Sequence, residues 1–249
     1  MTEHTEPTDT FSQRLANVRQ RIAQAAHDAD RDPAEITLLP VSKTFDETAI
    51  REAMACGLTR FGENKVQELA AKQQGMQDAG IDWVMIGHLQ SNKARDVARY
   101  ASEIQSLDRL SLARRLENRL QTEGRGIDAL VQVKTSTEPT KYGLDPAELP
   151  DFVREVARSM PSLRIKGLMT LAINVRNEEA VRACFRHLRE LRDRLREEAI
   201  DGVEMERLSM GMSGDMELAI AEGATELRIG TALFGQRPYP DSYYWPEQE

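Results

Sequence analysis

The sequence contains little cysteine and no long apolar run. Only two of its 249 residues are cysteines, Cys56 and Cys184, and they lie far apart without the spacing of a metal or redox motif. Such sparse cysteine is typical of a reducing compartment, so both are predicted to be packing residues. No apolar run approaches the roughly 20 residues that a helix needs to span a bilayer, so no transmembrane helix is predicted.

Basic residues are also in the minority. The 33 lysines and arginines against 41 aspartates and glutamates give a net charge of -8, which argues against DNA or another polyanion as the main partner. A local basic pocket for one phosphate remains compatible with this charge. The N-terminus is polar and acidic, with neither the positive start nor the apolar stretch of a signal peptide. We therefore expect a soluble cytoplasmic protein without a nucleic-acid or membrane partner.

Short apolar runs alternate with longer stretches of helical periodicity. This alternation is typical of βα units around a parallel sheet. An additional helix from about Phe11 to Asp28 is predicted before the first strand, because Leu15, Val18 and Ile22 recur on one face. The predicted strands are Ile36–Val41, Arg60–Gly62, Trp83–Gly87, Glu103–Ser106, Ala129–Val133, Ile165–Met169, Arg207–Met210 and Leu227–Gly230. Eight strands in about 250 residues match the size of a single (β/α)8 barrel of the TIM type.

The alternative architecture is an open, doubly wound sheet. Against it, the first strand is not followed by a glycine-rich dinucleotide fingerprint, because the segment Val41-Ser42-Lys43-Thr44 contains no glycine. No linker rich in proline, glycine or serine divides the chain. We predict one α/β barrel domain over residues 10–237, a disordered N-terminal tail at residues 1–9 and a C-terminal tail at residues 238–249.

Lys43 ends the first predicted strand. In such a barrel the active site lies at the C-terminal ends of the strands, so Lys43 would bring an amine to the mouth. A lysine that ends a strand is more often simply solvated. If the mouth also binds a phosphate, however, one lysine suffices to hold an aldehyde cofactor as a Schiff base.

Two loops of the predicted mouth suit an anion. A phosphate commonly lies between the loops that follow strands seven and eight of these barrels. After strand seven, the segment Ser209-Met210-Gly211-Met212-Ser213-Gly214-Asp215 leads into a short helix that is predicted to end near Gly223, with Ser213 as its N-cap. After strand eight, Gly230 lets the backbone approach a phosphate, and Thr231 offers an N–H group and a hydroxyl. Ordinary turn and capping residues are the alternative interpretation.

Arg228 is predicted to point into the barrel. Its neighbours Leu227 and Ile229 are apolar, and strict alternation along the strand directs them to the helix layer. An unpaired guanidinium in the interior would be costly, so we expect an acceptor there. The acceptor is the Glu226 carboxylate or another acidic side chain in one interpretation, and a ring nitrogen of a cofactor in the other.

Further polar residues follow the second and third strands. Asn64 and Ser91 project into the same mouth, although capping of the following helices is the alternative role for each. The four histidines, at positions 4, 27, 88 and 187, show no ligand spacing, so no metal site is predicted.

Six blocks of sequence carry a more specific resemblance. They resemble, in the same order, segments of the pyridoxal phosphate homeostasis proteins, which are single-domain relatives of the alanine racemase barrel. The resemblance runs from the first strand to about Gly235. The blocks are Pro40-Val41-Ser42-Lys43-Thr44, Phe61-Gly62-Glu63-Asn64-Lys65-Val66-Gln67-Glu68, Ile86-Gly87-His88-Leu89-Gln90-Ser91-Asn92-Lys93, Gly167-Leu168-Met169-Thr170, Leu208-Ser209-Met210-Gly211-Met212-Ser213 and Arg228-Ile229-Gly230-Thr231-Ala232-Leu233-Phe234-Gly235.

The resemblance implies a binding site for pyridoxal 5'-phosphate. Lys43 would hold the cofactor as a Schiff base, Arg228 would face the pyridine nitrogen, and Asn64 would lie near the ring. The family's phosphate-binding residues correspond here to Ser213, Gly230 and Thr231.

A second lysine is implied near the mouth. Lys141, in Thr140-Lys141-Tyr142-Gly143, matches a lysine of the family close to the cofactor. The preceding segment Thr137-Glu138-Pro139 departs from the acidic stretch that is more usual there. The shape of this loop therefore stays open.

The implied arrangement favours binding over catalysis. An arginine does not give up a proton to the pyridine, so the ring is a poorer electron sink than one paired with a carboxylate. Racemases of this barrel type add a β-rich domain that supplies a tyrosine on the second face of the substrate, and this chain ends shortly after strand eight. Two-base racemisation needs a proton donor on each face, and only the Lys43 face is evident, although Tyr142 is a conceivable substitute.

The resemblance therefore implies a non-catalytic protein that stores, buffers or delivers pyridoxal 5'-phosphate in vitamin B6 homeostasis. Cofactor-dependent apo-enzymes are the implied recipients, and a monomer is expected because the second racemase domain is missing. The alternatives are an amino-acid racemase that uses the same cofactor, and a Schiff-base aldolase that acts on a sugar phosphate with the same lysine and loops.

Overall fold

The computed structural model describes residues 9–136, 142–173 and 175–236. Within these residues, strands and helices alternate along the chain. The strands are β1 (Thr37–Pro40), β2 (Arg60–Glu63), β3 (Asp82–Met85), β4 (Glu103–Leu107), β5 (Ile127–Gln132), β6 (Leu163–Met169), β7 (Arg207–Ser209) and β8 (Glu226–Ile229). The helices are α1 (Phe11–Asp28), α2 (Glu47–Ala55), α3 (Val66–Gly75), α4 (Ala94–Tyr100), α5 (Leu110–Glu123), α6 (Leu149–Ser159), α7 (Glu178–Glu197), α8 (Met216–Ala221) and α9 (Thr231–Phe234).

All eight strands form one parallel sheet. Their order is β1-β8-β7-β6-β5-β4-β3-β2, so that each strand after β1 lies beside its neighbour in sequence and β8 returns to β1. Between β1 and β2 a single bridge, Val41 to Gly62, brings the two edges together, and the N–H of Ser42 donates to the Gly62 oxygen over 3.1 Å. The predicted (β/α)8 barrel is therefore confirmed, and the open doubly wound sheet is wrong.

The predicted elements differ from the observed ones only at their ends. Each predicted strand is present, and no boundary is displaced by more than two residues. The extra helix before the barrel is also confirmed, with the bounds Phe11–Asp28. It begins in a capping box, in which the Thr10 side chain accepts from the N–H of Gln13 while the Gln13 side chain accepts from the N–H of Thr10. Its apolar face is buried, and Phe11 contacts Phe234 with ring centroids 5.3 Å apart.

The N-terminal end of the barrel interior contains a layer of ion pairs. Arg60 donates to Glu226 over 2.6 Å and to Glu103 over 2.7 Å. Arg207 donates to Glu103 over 2.7 Å and to Glu226 over 2.5 Å. Two cations are matched by two anions, so each buried charge has a partner of opposite sign. All four residues begin their strands, which leaves the opposite ends of the strands to form the site. Gln105 connects this ion-pair layer to the residues at the other end of the strands, since it donates to Glu226 and accepts from Ser209.

No described helix is long and apolar enough to cross a bilayer.

Candidate functional site

A cavity of about 590 Å³ opens at the C-terminal ends of the strands. This volume lies within the range of small-molecule sites. Its wall comes from the ends of β1, β2, β3 and β8 and from the loops that follow β6 and β7. All six residues to which the sequence assigns a cofactor line it: Lys43, Asn64, Ser213, Arg228, Gly230 and Thr231.

Lys43 enters the cavity because residues alternate between the two faces of β1 and its extension. Val41 and Lys43 line the cavity, whereas the hydroxyl of Ser42 points the other way and donates to the Glu63 carboxylate over 2.6 Å. Directly after Lys43 the chain reverses, and Thr44 adopts a left-handed conformation with φ 71°. Few β-branched residues adopt this conformation, so the turn beside Lys43 is strained.

The loops after β7 and β8 are joined to each other. The N–H of Ala232 donates to the hydroxyl of Ser213 over 3.4 Å, which brings Ser213 close to Gly230 and Thr231. A Cβ added to Gly214 would meet no atom within 4 Å, so the loop is open at that point. Hydroxyls and glycine backbone from two loops are thereby collected on one side of the cavity, as an anion requires.

The predicted N-cap is wrong. The short helix α8 does end before Gly223 as predicted, but its N-cap residue is Asp215 and not Ser213. The carboxylate of Asp215 accepts from the N–H of Met212 over 2.6 Å. This bond folds the loop into a tight turn, which moves the start of α8 two residues along and leaves Ser213 to contact α9.

Arg228 points into the barrel as the alternation predicts, and it is 4% exposed. Its guanidinium donates to the carbonyl oxygen and the hydroxyl of Ser209, over 2.7 and 2.8 Å, and to the carbonyl oxygen of Thr170 over 2.8 Å. None of these acceptors is charged. Burial lowers the pKa of Arg228 to about 10, although Glu226 and Asp215 attract the cation. Glu226 is not the acceptor that one interpretation assigned to Arg228, since it accepts from Arg60 and Arg207 instead.

Asn64 lines the cavity and does not cap α3. The N-cap position of that helix is Lys65, and no side chain caps it. Ser91 neither lines the cavity nor caps α4, whose N-cap position is Lys93. Its hydroxyl accepts from Arg109 over 3.2 Å instead.

Three charged side chains beneath Lys43 were missed by the sequence analysis. Lys72 of α3 donates to the carbonyl oxygen of Ser42 over 2.8 Å and to Glu63 over 2.6 Å. Glu68, one turn earlier, accepts from the N–H of Thr44 over 3.0 Å. Burial raises the pKa of Glu63, while Lys72 opposes that rise. The sequence did contain a signal for the burial of Lys72, because this residue follows Val66 and Leu69 at a spacing of three residues and thus lies on the buried face of α3.

Part of the cavity wall was missed as well. Leu171, Ala172 and Ile173, which follow β6, form an apolar wall, and Asp215 places a carboxyl beside the loop after β7. Burial raises the pKa of Asp215, against the effects of its bond from Met212 and of the Arg228 charge. The apolar run directly after Thr170 was the available signal for the wall.

On the side of β3 and β5, His88 stacks on Tyr142. Their rings are 3.8 Å apart and inclined by 15°, and the Nδ1 of His88 is 3.2 Å from a carboxylate oxygen of Asp108. Tyr142 is 59% exposed and is not among the residues that line the cavity. Lys141 and the segment Thr137-Glu138-Pro139 lie outside the described residues.

Comparison with known proteins gives one consistent result. Residues 14–238 match the family model of the alanine racemase N-terminal domain. The chain is 43% identical to the pyridoxal phosphate homeostasis protein of Pseudomonas aeruginosa over 230 residues, which covers 92% of this chain and 97% of that protein. The pyridoxal phosphate homeostasis protein of Aquifex aeolicus is 42% identical, with 91% and 98% covered.

A solved structure supports the same family relationship. PipY of Synechococcus elongatus, determined with PLP bound, superimposes with a TM-score of 0.80 at 36% identity, covering 91% of this chain and 100% of that one. Alanine racemase of Clostridium difficile and D-threonine aldolase of Filomicrobium marinum superimpose with TM-scores of 0.66 and 0.67 at 13% and 20% identity. At this identity the likeness to the two enzymes shows the fold alone.

Proposed function

Because this chain belongs to the family of pyridoxal phosphate homeostasis proteins, we propose that it binds pyridoxal 5'-phosphate in the cavity at the barrel mouth and serves the homeostasis of that cofactor. One observation carries the assignment to this cavity. A lysine amine, a buried arginine and two joined loops rich in hydroxyls and glycine converge on the same space. An aldehyde, a ring and a phosphate require these three kinds of group.

The residues present fit the cofactor. The cavity volume suits a ligand of this size, and the open space beside Gly214 leaves room for a phosphate. The charge of Arg228 is held by neutral oxygens, so a further acceptor in the cavity would stabilise it. A solely structural arginine would be better served by a carboxylate, as Arg60 is in the layer below.

Each of the six predicted residues that line the cavity has a defined role in this proposal. The cofactor supplies an aldehyde, which condenses with a primary amine to form a C=N bond and release one water. Lys43 provides that amine, and Ser213, Gly230 and Thr231 hold the phosphate. Arg228 donates to the ring nitrogen and stays protonated, and Asn64 borders the ring.

We place this chain among the binding proteins rather than the catalysts. Racemisation needs a second proton donor opposite Lys43, and the conceivable substitute, Tyr142, stacks on His88 instead of lining the cavity. A protonated Arg228 also withholds a proton from the ring, which disfavours carbanion chemistry. In this proposal, apo-enzymes that depend on the cofactor are the recipients, and the protein acts as a cytoplasmic monomer with two free thiols, Cys56 and Cys184.

The first experiment adds pyridoxal 5'-phosphate to the purified protein, records the visible spectrum, reduces the sample with borohydride and locates the phosphopyridoxyl group by peptide mass. We expect the group on Lys43, none on K43A, and an unchanged label on K166A, because Lys166 pairs with Glu204 on another face of the barrel. A protein that stays colourless and unlabelled would refute the proposal. Labelling by a sugar phosphate under the same reduction would then support the aldolase.

Catalysis is tested separately. Amino acids are incubated with the cofactor-loaded protein in deuterium oxide, and exchange of the α-hydrogen is followed by proton NMR. We expect no exchange above that of free cofactor. Exchange that depends on Lys43 would favour the racemase instead.

A further inference from the structure

Both peptide groups that flank Lys43 are held by side chains of α3. The carbonyl oxygen of Ser42, just before Lys43, accepts from Lys72 over 2.8 Å. The N–H of Thr44, just after it, donates to Glu68 over 3.0 Å. Glu68 and Lys72 are four residues apart and so project from adjacent turns of one helix face. The helix α3 therefore forms hydrogen bonds to the backbone on both sides of Lys43, the residue that enters the cavity.

Lys72 is itself fixed in place. Its amine lies 2.6 Å from Glu63 and 3.8 Å from Glu68, and the residue is 8% exposed. Glu63 is fully buried and also accepts from the hydroxyl of Ser42 over 2.6 Å. An apolar pair of the same volume would stabilise the helix layer equally well, because burying two charges consumes much of their attraction. What an apolar pair could not supply is the hydrogen bond to the Ser42 carbonyl.

The turn that follows Lys43 needs such support. Thr44 has φ 71°, and the N–H of Phe45 closes the turn on the carbonyl oxygen of Ser42 over 3.1 Å. A β-branched residue keeps this conformation only where its surroundings enforce it. Lys72 and Phe45 share the Ser42 carbonyl as their acceptor, and Glu68 holds the Thr44 amide, so the strained turn is bonded on both sides.

We propose that Glu68 and Lys72 are positioning residues for Lys43, which clamp the peptides on either side of it and so set the direction in which its amine enters the cavity. This inference rests on the proposed function, because only a bound aldehyde cofactor requires a particular direction of the Lys43 amine. A pre-oriented amine loses less freedom when it condenses with the aldehyde, so the clamp strengthens and accelerates covalent attachment. Glu63 holds the Lys72 amine in place through their 2.6 Å ion pair.

The test separates positioning from stability by combining two substitutions. K72M leaves Glu63 buried without its cation, so it is expected to lower both the melting temperature and the attachment of the cofactor. E63Q/K72M removes both charges, so stability returns, but the Ser42 carbonyl still lacks its donor from α3. E68A removes the acceptor of the Thr44 amide and, with it, the longer 3.8 Å ion pair to Lys72, while the 2.6 Å pair between Lys72 and Glu63 stays. The control is E117Q, because Glu117 is also a buried carboxylate and accepts from Ser162 on another side of the barrel.

For each protein, the melting temperature without cofactor, the rate of imine absorbance growth and the cofactor concentration for half-attachment are measured. We expect E63Q/K72M and E68A to need at least tenfold more cofactor and to react at least tenfold more slowly than the parent. E117Q is expected to melt earlier and to attach the cofactor like the parent.

Two failures are distinguishable. If the unaltered protein does not attach the cofactor at Lys43, the proposed function fails, and the clamp loses its purpose with it. If the unaltered protein attaches the cofactor and both E63Q/K72M and E68A do so with the same rate and half-attachment concentration, the clamp is overturned while the proposed function stands.

Discussion

The Cα of Gly87 packs directly against the backbone of Asn64. A Cβ at position 87 would lie 2.0 Å from the carbonyl oxygen of Asn64 and 2.9 Å from its side-chain oxygen. Only glycine therefore allows the chain after β3 to approach the chain after β2 this closely. The contact places Asn64 on the cavity wall beside Ile86.

G87A is expected to move Asn64 and to weaken cofactor binding by more than tenfold. Backbone atoms cannot yield as a flexible side chain does, so the substitution should also lower the free energy of unfolding by about 1–3 kcal/mol. Equilibrium titration with cofactor and chemical denaturation measure the two effects. The matched control is G62A, since a Cβ there would meet Ile86 and Leu39 at an ordinary 3.4 Å. Parent-like binding by G87A would contradict the prediction.

Arg228 is expected to contribute directly to affinity. In R228Q the charged donor is lost from the cavity, and a hydrogen bond from a charged group is worth about 1.5–3 kcal/mol. Cofactor affinity should therefore fall at least about tenfold, since 1.4 kcal/mol corresponds to one factor of ten. R164Q is the control, because Arg164 pairs with Asp128 at the surface. If R228Q bound the cofactor as tightly as R164Q does, Arg228 would be a structural residue only.

The residues predicted best were those that a single strand determines. Arg228 lies between two apolar neighbours, so alternation along β8 predicts its inward direction. Lys43 was placed by its position at the end of β1, because strand ends meet at the barrel mouth. Ser213 was placed in the right loop, but its predicted role as the N-cap of α8 is wrong, because the bond from Met212 to Asp215 depends on how the loop folds and not on a residue type alone.

The clamp on α3 was not predictable in the same way. Glu68 and Lys72 have the four-residue spacing of an exposed helix pair, which is the more common context for such residues. Their contacts with the backbone around Lys43 depend on where α3 packs relative to β1, and that follows from closure of the whole barrel. The ion-pair layer of Arg60, Glu103, Arg207 and Glu226 was not predictable either, since it joins strands that are far apart in sequence.

This layer predicts a specific dependence of stability on pH. Burial alone would raise the pKa of Glu226, but Arg60 and Arg207 outweigh it, so that the pKa lies below its ordinary value of 4.5. A carboxyl whose pKa is lowered by folding stabilises the protein above its unfolded value, and this stabilisation is lost as the pH falls through the folded value. At neutral pH, E226Q should reduce the free energy of unfolding by about 3 kcal/mol.

The difference between the parent and E226Q should shrink as the pH falls below 4.5, because the parent then also loses the charge. Denaturant unfolding at a series of pH values measures it. E204Q serves as control, since Glu204 is 61% exposed in its pair with Lys166 and should change stability by less than about 1 kcal/mol. A difference that stays constant between neutral and acidic pH would show that Glu226 is not held by its charge.

The two joined loops predict discrimination between cofactor forms. Pyridoxal carries the same aldehyde and ring as the cofactor but no phosphate, so it cannot use Ser213, Gly230 and Thr231. Charge-assisted hydrogen bonds are about twice as strong as neutral ones, and two or three of them favour the phosphate form by about 100-fold in half-attachment concentration. S213A should narrow this ratio, because it removes a hydroxyl from the loop and also breaks the bond from the Ala232 N–H. S159A, whose hydroxyl bonds to Glu155 on the surface of α6, should leave the ratio unchanged. Equal attachment of pyridoxal and its phosphate by the parent would place the phosphate outside these loops, since a ligand that contacts them must lose affinity when its charge is removed.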